Sequence, residues 1–134
     1  MATNNFSVLK HISHYCKDID NCIIRFGNQE DVFINDIDYQ NSICMSILQI
    51  GELTTHLSED FKKINNKDID WRALKYIRNI CAHRYGTVDL KEIWNVALND
   101  IPKIQLFCNQ QIQMDEILNQ DAIEPEYDDD EIEL

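Results

Sequence analysis

A bundle of α-helices is the fold class that this sequence predicts, on three observations. Apolar residues recur three and four positions apart through four long stretches, the spacing that lines one face of a helix. Turn formers are scarce, with three Gly and two Pro in 134 residues, and Gly27 and Gly86 stand at the ends of such stretches. Asp and Asn residues precede the stretches, where their side chains cap unpaired backbone N–H groups. A chain of this length supports one core of four to five helices.

The first helix is expected over Phe6–Phe26, with Val8, Ile12, Tyr15, Ile19, Ile23 and Phe26 as its inner stripe. Gly27 and Asn28 close it, because both tolerate the left-handed backbone that ends helices. A polar link with Asn35, Asp36 and Asp38 offers caps for a second helix from about Asp36 to Leu57, striped by Tyr39, Ile43, Ile47, Ile50, Leu53 and Leu57. Gly51 lies inside that helix, where it costs roughly 1 kcal/mol against Ala, so another helix is expected to pack closely there. Glu52 beside it is expected to face an interface. Residues 58–68 read as a charged connection with room for one extra turn.

Asp68 or Asp70 caps a third helix beginning at Trp71, which Gly86 ends. Asp89 caps a fourth, Leu90 to about Leu118, with Ile93, Trp94, Ala97, Leu98, Ile101, Ile104 and Phe107 inward. Pro102 interrupts it with a kink or restart, since Pro lacks a donor and crowds the preceding turn. Trp71 and Trp94 read as core anchors. The domain is thus expected over residues 1–118, followed by an acidic tail, 119–134, whose composition favours disorder. An alternative role for the tail is an electrostatic lid over a basic region.

Composition excludes several classes. No apolar run is long enough to span a membrane, and the start lacks the basic-then-apolar order of a signal peptide. The five cysteines are scattered and never two residues apart, which suits reduced, buried thiols in a cytoplasmic protein and no zinc site. His11 and His14 find no further close ligand, so no metal and no cofactor is expected. The net charge of −12 is uneven: residues 119–134 hold eight acidic side chains and no Lys or Arg, leaving −4 for the remainder. Eight of the twelve basic residues (Lys62, Lys63, Lys67, Arg72, Lys75, Arg78, Arg84 and Lys91) fall between positions 62 and 91. Local positive potential therefore gathers along that segment, which matters more for phosphate binding than the total.

The third helix carries the candidate chemistry. At about 100° per residue, Arg78 aligns with Tyr85 seven positions on, and Asn79 and His83 form the neighbouring row. Leu74, Ile77, Ile80 and Cys81 occupy the opposite side. A guanidinium offers a fork of donors matching phosphate oxygens. An imidazole with a pKa of about 6.5 can take a proton from a hydroxyl and return it to a leaving oxygen. This set fits cleavage of an RNA backbone without metal, His83 deprotonating a ribose 2′-hydroxyl and Arg78 stabilising charge on the phosphate. Taken alone, an Arg and a His on one helix are more readily explained by a polar surface or an interface.

The run Arg78-Asn79-Ile80-Cys81-Ala82-His83-Arg84-Tyr85 resembles the signature of the HEPN superfamily, an Arg and a His spaced by a few residues, in the form with a following Tyr that marks its HepT-like toxin branch. Gln49-Ile50-Gly51-Glu52-Leu53, His56-Leu57-Ser58-Glu59, Trp71-Arg72-Ala73, Tyr85-Gly86 with Asp89-Leu90, and Trp94 through Asp100-Ile101-Pro102 look like the same family, so the likeness spans roughly residues 5–115. It implies an up-and-down helical bundle that homodimerises, motifs from both subunits meeting in one cleft. It also implies a metal-independent endoribonuclease, a toxin paired with a nucleotidyltransferase antitoxin. By position, Arg78 and His83 are then catalytic, Asn79 supports them, and Tyr85 is the hydroxyl to which the partner attaches AMP. Two departures stand out: Arg84 where relatives usually carry Glu, and Tyr76 where a Gly is common. Tyr76, Lys75 and Arg84 become candidate RNA contacts, Tyr76 by stacking on a base or by filling the dimer groove. The alternative is a HEPN module that binds RNA or a nucleotidyltransferase without cutting, and a further one is a purely structural helical dimer.

Overall fold

The computed structural model describes residues 4–82 and 89–119. Its elements, in order, are α1 (Asn5–Phe26), α2 (Glu30–Asn35), α3 (Ile37–Thr54), α4 (Glu59–Ile64), α5 (Trp71–Ala82) and α6 (Leu90–Asn95). A single π-helical stretch, Val96–Asp100, then leads into α7 (Ile101–Leu118). The architecture is all-α, as the periodicity predicts.

The long helices lie side by side in the order α7, α1, α3, α5. Asn5, at the start of α1, donates its side-chain amide to Ser58 Oγ beyond the end of α3, at 3.2 Å, so those two helices run antiparallel. Ser13 of α1 likewise donates to Asn109 of α7, at 2.7 Å. Most of the expected inner stripes form the observed core: Val8, Ile12, Ile19 and Ile23 from α1, and Tyr39, Ile43, Ile47, Ile50 and Leu53 from α3, are all buried, whereas Tyr15, Phe26 and Leu98 are half-buried against it. Ile93, Trp94, Ala97, Ile101, Ile104 and Phe107 close it from the C-terminal side. Trp71 is half-buried and donates its ring N–H to Lys62 O at 2.9 Å, fastening the start of α5 to α4. All five cysteines are buried.

Helix ends follow local chemistry. Asn4, Asp36, Ser58 and Asp89 accept from backbone N–H groups at the starts of α1, α3, α4 and α6. Asp70, rather than Asp68, serves α5, accepting from Ala73 N at 3.1 Å. Gly27 alone ends α1, with φ of 110°.

One expectation needs correction. The link before α3 contains a helix, α2, because Phe33 finds a fully buried seat where its ring meets Tyr39 and Trp94 edge-on or tilted at 5.2 Å. The charged connection holds its expected extra turn as α4, whose Phe61 joins Trp71 and Phe107 in a second aromatic group. The restart expected at Pro102 is observed: Ile101 N donates back to Val96 O, a wider turn, and α7 begins at Ile101 with Pro102 in its first turn. Gly86 and the tail beyond Asn119 lie outside the described residues.

Candidate functional site

The site grows from the contact between α3 and α5. On α5, Leu74, Ile77 and Cys81 are buried, and Arg72, Lys75, Tyr76 and Asn79 are exposed. The spacing of these four, at i, i+3, i+4 and i+7, makes them one outward stripe. Tyr76 is 57% exposed, a large aromatic face beside two cations. Among the described residues, neither Arg72 nor Lys75 has an ion-pair partner.

Arg78 sits between that stripe and the core. A Cβ built on Gly51 would collide with the Cβ and Cγ of Arg78, so the glycine is what allows α5 to approach α3 this closely. The sequence expectation for Gly51 is met, and its contact is the candidate catalytic residue itself. One residue further along α3, Glu52 receives the guanidinium: Nε donates to Oε1 at 2.6 Å, and Nη2 donates to the same oxygen. Nη1 donates to Asn79 Oδ1 at 2.9 Å. Among the described residues, three of the five guanidinium donors are thus committed and two are left for an anion. The pair is half-exposed, with side chains 33% and 43% accessible for Arg78 and Glu52.

Glu52 is the residue that sequence reasoning places at an interface without seeing its partner. The signal was present: a glycine inside a helix marks a crossing point, and an acid beside it is within reach of whatever crosses. No local pattern links position 52 to position 78.

Of the other expected residues, Lys75, Tyr76 and Asn79 share the α5 surface with Arg78. His83, Arg84 and Tyr85 lie outside the described residues. Among the described residues no three His, Cys, Asp or Glu gather as a metal would need. No helix among them is long and apolar enough to cross a membrane.

Comparison with known proteins places this geometry in context. The family described as Ribonuclease HepT-like matches residues 12–111. A protein of Methanocaldococcus jannaschii named as a "putative RNase" is 27% identical over 92 residues, 62% of this chain and 84% of the relative. A protein of Thermococcus cleftensis named "probable ribonuclease HepT" is 29% identical over 73 residues, 54% of this chain and 66% of the relative. No solved structure matches the chain. The matched region contains α3, α5 and the whole Arg78-to-Tyr85 run, and the chain belongs to the HepT-like ribonuclease family.

Proposed function

We propose that this protein is a metal-independent endoribonuclease, acting as a homodimer over residues 1–118 and serving as the toxin of a pair with a nucleotidyltransferase antitoxin. Family membership and the RNase names of its relatives support ribonuclease action. The observation that carries the residue roles is the state of Arg78: a guanidinium anchored on one side by Glu52, with two donors uncommitted among the described residues, beside an exposed stripe bearing Arg72, Lys75 and Tyr76. Such a group suits a phosphodiester better than a purely structural ion pair would.

In this mechanism His83 removes the proton of a ribose 2′-hydroxyl, and the 2′-oxygen attacks the adjacent phosphorus. Arg78 stabilises the charge that builds on the phosphate oxygens. The bond to the 5′-oxygen breaks, the imidazolium returns a proton to that oxygen, and the products are a 2′,3′-cyclic phosphate and a 5′-hydroxyl. Asn79 fixes the Nη1 end of Arg78. Lys75 and Arg84 hold flanking phosphates, and Tyr76 stacks on a base. AMP attached to Tyr85 would add bulk and negative charge that compete with the RNA phosphate, which accounts for inhibition by the partner.

The test compares wild type, His83→Ala and Tyr85→Phe on tRNA and mRNA with EDTA present, identifying product ends. Wild type and Tyr85→Phe are expected to cleave and leave cyclic phosphate, with His83→Ala slower by about 10²–10⁴-fold at unchanged fold. Absence of cleavage by unmodified, dimeric wild type on both RNA classes would overturn the nuclease reading in favour of a binding module.

A further inference from the structure

We propose that Glu52 is the positioning residue for Arg78, holding one edge of the guanidinium so that the opposite edge stays aimed at a phosphodiester. This inference rests on the nuclease reading above for its catalytic consequence. Arg78 is fixed at two points by consecutive residues of α3. Gly51 admits the base of its side chain, Cβ and Cγ, against the helix. Glu52 takes both hydrogens of the Nε–Nη2 edge on one oxygen, Oε1. The torsions between these points are thereby restrained, in a side chain that would otherwise lose much rotamer freedom on meeting its substrate.

Among the described residues, the donors left over are one on Nη1 and one on Nη2, since Asn79 takes only one hydrogen of Nη1. A phosphate oxygen can therefore be bound without displacing Glu52. A competing role, in which the carboxylate blocks the site as an internal anion, would require it to occupy the donors that the substrate needs. Here it occupies the edge on the α3 side and leaves the other.

Two readouts on the full chain decide the matter. The first needs no activity: exchange of the arginine Nε–H signals by ¹⁵N-edited NMR, the Arg78 signal being assigned by its loss in R78K. In wild type this signal should exchange about tenfold or more slowly than those of the other arginines, the factor set by a charge-assisted hydrogen bond. Protection should persist in E52Q, whose amide oxygen keeps the same reach, and vanish in E52A. Exchange of the Arg78 signal at the rate of the others would overturn the proposal.

The second readout is cleavage of a tRNA pool. E52A and E52D, the latter withdrawing the acceptor by one methylene, should lower kcat about 10–100-fold at similar KM. E52Q should stay within about threefold of wild type. If E52A fails to fold, the Gln and Asp variants still discriminate. Tighter RNA binding or faster cleavage by E52Q would show a competing anion and refute positioning. R78A cleaving as wild type would instead refute the role of Arg78 in the nuclease reading, while the exchange experiment would still judge the Glu52 contact.

Discussion

Gly51 is the position where the balance between local and tertiary forces is clearest. Helix propensity alone favours Ala there by up to about 1 kcal/mol. The added Cβ would meet the Cβ and Cγ of Arg78, atoms too near the α5 backbone to swing aside, so the two helices would have to separate. Overpacking of this kind costs about 1–3 kcal/mol, which exceeds the propensity gain. Gly51→Ala is therefore expected to lower the urea midpoint despite being a better helix former. It should also reduce RNA cleavage more than its stability loss explains, because it displaces Arg78 from Glu52. Unchanged or raised stability would mean that α5 does not approach α3 this closely.

At the scale of an element, the helix starts carry much of the definition. Asp36 follows α2 immediately and caps α3, accepting from Asp38 N at 3.0 Å and Tyr39 N at 3.2 Å. It sets where α2 stops and α3 begins, which puts Tyr39 into the core to stack on Phe26 at 4.8 Å between ring centres. Asp36→Ala should destabilise the protein by about 1 kcal/mol, read from chemical denaturation, and Asp36→Asn by much less, because the amide oxygen still caps. The π-helical stretch before Pro102 has a similarly local cause. Proline supplies no N–H and crowds the preceding turn, and the widened turn just before it takes up that conflict where α7 starts.

Across the whole molecule, the core gives a dependence on alkaline pH. Burial at the contact of α1 with α7 pushes the Cys16 thiol from 9.0 up to about 12. Burial likewise raises Cys108, with the neighbouring Cys16 adding to the effect. Tyr39, fully buried, is pushed from 10.0 to about 12, chiefly by desolvation. These groups keep their protons longer in the folded state than in the unfolded chain. Their contribution is complete below the unfolded values and is lost as pH rises through the folded ones, so stability should fall from about pH 9 toward pH 12. Urea midpoints measured under reducing conditions should show this decline. In Cys16→Ala/Cys108→Ala the decline should be shallower, although the protein starts less stable at neutral pH because of the cavities left.

The fold was largely legible before any coordinates, and for a physical reason. Helix periodicity, caps and breakers are properties of neighbouring residues, and each long element, its inner stripe and its start could be read from residues within one or two turns. The candidate residues were legible as chemistry on one helix, Arg78 with Asn79, Lys75 and Tyr76 around it. What sequence could not supply were the contacts that join distant segments. The short helices α2 and α4 exist because Phe33 and Phe61 find aromatic partners brought from elsewhere in the chain. The Glu52–Arg78 pair crosses 26 positions of sequence. Sequence alone determined an all-α chain with a phosphate-suited helix. Only the tertiary structure decided that the α3 turn carrying Gly51 and Glu52 seats and grips Arg78, because that depends on how closely two separately formed helices can pack.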